Sequence, residues 1–317
     1  MGIGKLRYMI CRIFFMIRRS GLFPTLTKLF GQLWDRIRWI CVRPYWRKRA
    51  ENGLVVRKVN DYQMYLDLDD IGLSRELLFN GTREEMETRL ARDVLKPGMT
   101  VLDIGANLGY YALLEASLVG ENGFVYAIEP IPRNYEILTK NVDLNRYKNC
   151  RTYCMGVSSK NGTEKMYVSN ASNWHSMPSG EEEDQSEIRK QWLKGRVDRV
   201  IDVPITTVDA FVAEQGIGKV DFIRMDIEGH ELEAIPGMEE TLKKMPAPLY
   251  VFFELHAMLF ENPEDKLFPT VCKMLDWGFR PHTVVAREKV LDVDKTNFAP
   301  TLSTCKDIAL VVLMEKE

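Results

Sequence analysis

The chain has 317 residues, 45% hydrophobic and 28% charged, with a formal net charge of −2. That length holds one large domain or two small ones, and the composition is ordinary for a soluble globular protein, which excludes a chain built to stay disordered. The six cysteines include no C-x-x-C pair, which excludes a paired-cysteine zinc site and favours a reducing compartment.

Charge is unevenly spread along the chain. Residues 1–50 hold 12 Lys/Arg against one acid, Asp35, for a net +11, while the rest holds 31 against 44, for −13. Such an arm suits an anionic surface. Residues 8–17 form an apolar run broken by Arg12, shorter than the ~20 residues of a membrane span and without the cleavage site of a signal peptide. Residues 24–42 read as a helix, with Pro24 in its first turn. Leu26, Leu29, Phe30, Leu33, Ile37, Ile40 and Cys41 recur at three- and four-residue spacing, Lys28, Arg36 and Arg38 lie off that stripe, and Trp34, Trp39, Tyr45 and Trp46 are mixed with base. This describes an interfacial helix lying on an anionic bilayer. A helical pair packed on the remainder of the protein or on another subunit is the plainer alternative.

Residues 51–97 form a lead-in. A hairpin over 53–68 turns near Asn60-Asp61, and helices near 71–79 and 84–95 end at Lys96-Pro97-Gly98. From residue 98 to 317 strands alternate with helices. Strand candidates are 100–104, 124–129, 150–155, 219–225, 248–254, 279–285 and 307–314. The expected fold is α/β: a doubly wound, Rossmann-like, seven-stranded and mostly parallel sheet with helices on both faces, preceded by the basic amphipathic arm. Residues 166–202 interrupt the alternation with "SNWHS" at 172–176, the acids Glu181, Glu182, Glu183 and Asp184, and a helical-looking run from Ser186. An insertion at the active edge of a sheet reads as a lid or substrate segment, and Trp174 and His175 favour that over a plain surface loop.

The run Val101 to Tyr111, VLDIGANLGYY, reads as a buried strand, a glycine turn and a helix start. That shape presents backbone N–H groups and a positive helix end to a ligand. The next strand, Phe124 to Ile128, ends in Glu129 and Pro130, and Glu129 stands 26 positions after Asp103, close to the ~20 expected between a nucleotide-binding turn and a ribose-binding acid. The turn has Gly105 and Gly109 with Ala106, Asn107 and Leu108 between, which is not the Gly-x-Gly-x-x-Gly of a pyrophosphate loop. Asp103 beside it repels phosphate and suits an amino group. The combination points to S-adenosylmethionine, a nucleoside with a cationic methionine end. Asp103, Gly105, Asn107 and Gly109 are expected along that end, Glu129 at the ribose beside Pro130, Tyr110 or Tyr111 against the cofactor, and Met155-Gly156-Val157 near the adenine.

Three segments carry a family resemblance: "VLDIGANLGYYALLEA" from Val101, "VYAIEPIPRNYEILTKNVDLN" from Val125 and "DFIRMDIEGHELEAIPGM" from Asp221. Together they resemble the FkbM-type class I S-adenosylmethionine-dependent methyltransferases over roughly residues 53 to 315. The family's usual third segment has Lys where this chain has Arg224, which keeps the charge but changes the donor geometry. The resemblance implies an antiparallel last strand, cofactor and acceptor contacts at Asp226, and methylation of hydroxyl-bearing molecules, many of them sugars; Glu84 and Glu87 match acids of the family pattern.

A hydroxyl is a poor nucleophile near neutral pH and needs a base or a metal. His175 or His256 is the expected general base, with Asp226 orienting the acceptor; His230 is expected on the surface of the following helix. Asp226, Glu228 and His256 form the alternative, a Mg²⁺ site, although metal dependence is not favoured: the spacing is not diagnostic and no H-E-x-x-H is present. The expected function is O-methylation of a glycan or other polyhydroxyl acceptor, lipid-linked at a membrane that residues 1–50 contact, in a protein peripheral to the inner face of that membrane in the cytoplasm. An RNA methyltransferase using the arm and a non-catalytic membrane adaptor are the competing readings. Nucleic acid is not favoured, because the fourth strand ends in Asp226-Ile227-Glu228-Gly229 and not in Asn/Asp-Pro-Pro-aromatic. An oligomer is left open.

Overall fold

A computed structural model describes residues 39–172, 175–177, 194, 197–287 and 289–317. The chain divides into two compact units, Met1–Val55 and Val56–Glu317. Of the first, residues 39–47 are helical, which extends past residue 42, the expected end of the helix read over 24–42. The run 8–17, most of that helix, Trp174 and the acids at 181–184 lie outside the described residues. Among the described residues no helix is long and apolar enough to cross a membrane.

The lead-in hairpin pairs β1 (Leu54–Val59) with β2 (Tyr62–Asp67), followed by α1 (Leu73–Asn80) and α2 (Glu85–Val94). Then come β3 (Thr100–Ile104), α3 (Tyr110–Val119), β4 (Phe124–Ile128), α4 (Pro132–Leu144) and β5 (Cys150–Tyr153). After an inserted region with β6 (Gly156–Val157), β7 (Gly162–Ser169) and β8 (Val197–Thr206), the alternation resumes with α5 (Val208–Glu214), β9 (Phe222–Met225), α6 (Glu231–Ala234), α7 (Glu239–Lys244) and β10 (Tyr250–Leu255). The chain ends with α8 (Leu267–Asp276), β11 (Phe279–Ala286), β12 (Lys289–Leu291), α9 (Phe298–Ser303) and β13 (Leu310–Lys316).

The main sheet runs β12-β11-β13-β10-β9-β3-β4-β5. Strands β10, β9, β3, β4 and β5 are mutually parallel, and β13 enters antiparallel between β10 and β11. All seven expected strands are present; the eighth, β12, is a three-residue edge strand paired to the end of β11. Strand β9 is apolar but for Arg224 and is buried along its whole length, as a strand covered by helices on both faces must be. The order of strand addition reverses at β3, with β4 and β5 on one side and β9 and β10 on the other, which puts the binding crevice at the carboxyl ends of β3 and β9.

The insertion is more regular than its polarity suggests. Strands β7 and β8 form an antiparallel hairpin, and β6 adds to β8 in parallel, making a second, three-stranded sheet. Its small core is Ile131, Met166, Val168, Met177, Val203 and Ile205. Such a hairpin buries one face only, so half its residues stay polar and Val200 stays exposed, and the hydrophobic signal in sequence is weak.

Candidate active site

The turn after β3 is shaped by residues that accept positive φ. Gly105 has φ +84°, and a Cβ built there would lie 1.9 Å from the Asp226 carbonyl oxygen, so the backbones of the two strand-end turns are in direct contact. Gly109, at φ +94°, caps α3, and a Cβ there would meet Leu138 at 2.8 Å. Asn107 occupies the same left-handed region at +51°, as Asn tolerates better than most side chains. Its amide donates to Glu129 Oε2 at 2.9 Å, and the other oxygen, Oε1, accepts from the Ile131 amide at 2.9 Å. Burial pushes the Glu129 carboxyl up to about 7, against the opposing effect of these two amides.

These turns line an open cleft. One end has Gly105, Asn107, Tyr110, Ile128, Glu129 and Pro130, with Met155, Gly156, Val157, Met166 and Met177 forming an apolar pocket beside them. The other end has Arg224, Asp226, Ile227, Glu228 and Glu254. The inserted segment closes over the first end: Asp70 accepts from the Ser172 amide and hydroxyl, each at 2.8 Å, and Asn107 Nδ2 donates to the Ser172 carbonyl at 2.9 Å. Asp70 was not legible from sequence, because it lies in the acidic turn after β2, where no motif marks it. Its role comes from a partner 102 positions away.

Of the expected cofactor residues, Gly105, Asn107, Tyr110, Glu129, Pro130 and Asp226 line the cleft, while Asp103 and Gly109 lie behind it. Asp103 is fully buried, and its Oδ1 accepts from Arg224 Nη1 at 3.1 Å. It is therefore consumed by an internal ion pair and does not present its charge to a ligand's amino group. Arg224 Nη2 also donates to Asp226 Oδ2 at 2.9 Å, and the guanidinium lies 3.9 Å from the centroid of the Tyr111 ring. The arginine fork thus joins two strands, as a single ammonium could not do with the same geometry. Tyr111 in turn donates to Glu84 Oε2 at 3.0 Å, and Tyr110 donates to the Arg83 carbonyl at 2.8 Å. Both hydroxyls are held in place at the mouth of the helix.

The histidines require correction. His175 lines the cleft, but its Nδ1 accepts from the Ser169 amide at 3.0 Å, which leaves the proton on Nε2. Burial lowers its pKa to about 4. With its lone pair engaged, His175 offers a donor and does not fit the general-base role expected of it. His256 is buried; Nδ1 donates to Glu231 Oε1 at 3.0 Å, and Nε2 lies 3.4 Å from Glu228 Oε2 and 3.8 Å from Glu254 Oε1. Burial alone would lower its pKa, but the carboxylates of Glu228, Glu231 and Glu254 overcome that and raise it well above the usual value. A histidine that already holds its proton is no base. His230, expected on the surface, is 1% exposed, and its Nε2 pairs with Ser158 Oγ at 3.1 Å. Its position after the Glu228-Gly229 turn carries it under the insertion, which the helical periodicity could not reveal.

Residues 103–281 match the Methyltransferase FkbM domain. The chain is 30% identical over 154 residues to the 2-O-methyltransferase NoeI of Sinorhizobium fredii, covering 47% of this chain and 61% of that protein. It is 44% identical over 55 residues to a protein-L-isoaspartate O-methyltransferase of Methanothrix thermoacetophila, covering 17% of this chain and 26% of that protein. The chain thus spans less than two thirds of either relative. A solved S-adenosylmethionine-dependent methyltransferase from Aquifex aeolicus superposes with a TM-score of 0.37 at 19% identity, covering 73% of this chain and 89% of that one. The domain match extends over more than half of the chain, from the β3 acid to the start of β11, and includes both ends of the cleft; the chain belongs to the FkbM methyltransferase family.

Proposed function

We propose that the protein is an S-adenosylmethionine-dependent O-methyltransferase acting on a hydroxyl of a glycan or other polyhydroxyl acceptor. The observation that carries this reading is the contact between the Gly105 turn and the Asp226 turn, which brings the cleft lining at Gly105, Asn107 and Glu129 beside the carboxylates of Asp226, Glu228 and Glu254. The residues suit the cofactor: a turn at Gly105 too tight for any side chain, a carboxylate at Glu129 beside it, and an apolar lining that includes Met155 and Met177. When bound, S-adenosylmethionine supplies an activated methyl group whose S–C bond breaks as the O–C bond forms, leaving a neutral thioether.

The chain's part is placement and proton acceptance. Asp226, fixed by Arg224, accepts from the acceptor hydroxyls and orients them. The reacting hydroxyl's proton passes to Glu228 or Glu254, because the arginine already neutralises Asp226. His175 donates from Nε2, and His256 stays beneath the carboxylates. The relative named as a 2-O-methyltransferase supports oxygen as the acceptor atom. A labelled-methyl assay with glycans, lipid extract and RNA offered side by side tests this reading. Label in an alkali-stable ether of a glycan or glycolipid is expected; label in RNA alone would refute it.

Glu129 gives the pocket a pH dependence. Its carboxylate form is the better acceptor for ribose hydroxyls, so affinity for S-adenosylhomocysteine is expected to tighten as pH rises through about 7. Glu129→Gln should weaken binding at pH 8 by about 1–3 kcal/mol and flatten that profile. Calorimetry at pH 6 and pH 8 checks both effects.

We assign the basic segment 1–50 to an anionic membrane surface, on its charge and its aromatic content. Removal of residues 1–45 should leave S-adenosylhomocysteine binding intact and abolish flotation with phosphatidylserine vesicles. Retained flotation would place the membrane contact elsewhere.

A further inference from the structure

We propose that Asp226, Glu254 and His256 form a divalent-cation site at the carboxylate end of the cleft, for a hard ion of the Mg²⁺ or Mn²⁺ class. One donor atom from each residue lies within 4.8 Å of the others. Small side-chain adjustments close that span around one ion, whose ligands sit at roughly 2.0–2.2 Å. The two carboxylates are the oxygen donors that such ions prefer, and the imidazole adds a third ligand that Mn²⁺ takes more readily than Mg²⁺.

Two further observations point to an ion. The His256 side chain is 5% exposed, and its Nδ1–H donates to Glu231, whose side chain is fully buried. A carboxylate behind the ring is the arrangement that fixes tautomer and orientation in metal-binding histidines. It leaves Nε2 facing Glu228 and Glu254, the side on which an ion would sit. Asp226 has its Oδ2 held by Arg224, while its Oδ1 is buried with no hydrogen-bond partner among the described residues. A buried carboxylate oxygen without a partner is costly, and a cation beside it would satisfy it.

A divalent ion here would take the place of the proton on Nε2. Three protein donors leave coordination positions for other oxygens. Asp226 and Glu254 both line the cleft, so those positions serve neighbouring hydroxyls of an acceptor, holding them and favouring loss of one proton. This use rests on the methyl-transfer reading of the cleft; the ion site itself does not.

Mn²⁺ alone, titrated into the full chain and followed by electron paramagnetic resonance, tests the site. One saturable ion per chain, competed by Mg²⁺, is expected. Glu231→Gln should weaken it by roughly 10–100-fold, the usual loss when an outer carboxylate is removed, and Glu254→Gln by more. Glu254 is part-exposed and its amide is isosteric, so this variant is the deciding one, with thermal melting as the check on folding. Absence of saturable Mn²⁺ binding by the folded protein, or binding that Glu254→Gln leaves unchanged, overturns the proposal. S-adenosylhomocysteine binding in the same samples separates the two readings: a chain that takes Mn²⁺ but not the nucleoside refutes methyl transfer and leaves the ion site standing.

Discussion

Replacement of Arg224 by Met is expected to lower stability by about 3–5 kcal/mol, the cost of stripping a buried pair of one partner. Asp103 is fully buried and Arg224 is 5% exposed, so water cannot replace the lost guanidinium. Glu115 from α3 is also fully buried, and neither of its carboxyl oxygens has a hydrogen-bond partner among the described residues. Burial first, and then the nearby Asp103 charge, raises its pKa well above the carboxylate norm, while Arg224 opposes the rise. Removing the arginine takes away the counter-charge of the whole group. Arg224→Met with Asp103→Asn should recover much of the loss, because no buried anion is then left at residue 103. Arg224→Lys should fall between: it keeps the charge but reaches only one of the two aspartates well. Denaturant melts of the four proteins check the order. Equal stability of wild type and Arg224→Met would show that the pair does not hold the strands.

Gly105→Ala is expected to weaken S-adenosylhomocysteine binding by about 100-fold or more. The new Cβ would collide with a carbonyl oxygen, a backbone atom that no rotamer change can move, and φ +84° adds strain for any L side chain. Either the Asn107 turn or the Asp226 turn must shift, and a displacement of about 1 Å in a binding constellation costs on the order of 100-fold. Gly216→Ala is the control. Its φ is +63°, but nothing lies within 4 Å of the added atom, so it carries the backbone strain without the collision, and cofactor affinity should stay unchanged. Equal effects of the two substitutions on affinity would mean that the turn contact is not what shapes the pocket.

The main sheet was legible because its strands are mostly buried and read as near-continuous apolar runs, as in Phe222–Met225 and Tyr250–Leu255, each broken by a single charged residue, Arg224 and Glu254. The second sheet was not, because β7 and β8 alternate polar and apolar residues around a six-residue core, and the same letters serve a surface loop equally well. At the site, Gly105, Asn107 and Glu129 were recoverable because turn geometry and charge restrict those positions to few residue types. The histidines were misjudged for a different reason. Their residue type was visible, but their protonation depends on partners brought from elsewhere: the Ser169 amide for His175, and Glu231 at the start of α6 for His256. Asp103 shows the same limit. Its acid was read as facing a ligand, whereas the directly paired residue on β9, Arg224, turns it inward.

The methyl-transfer reading depends on a sulfonium nucleoside lying between the Gly105 turn and Glu129. Titration calorimetry of the full chain with S-adenosylmethionine, S-adenosylhomocysteine and NAD measures that directly. The account predicts one site per chain for the first two, weakened by Glu129→Gln and by Gly105→Ala, and no heat with the dinucleotide. Tight NAD binding with no heat from either nucleoside would contradict it.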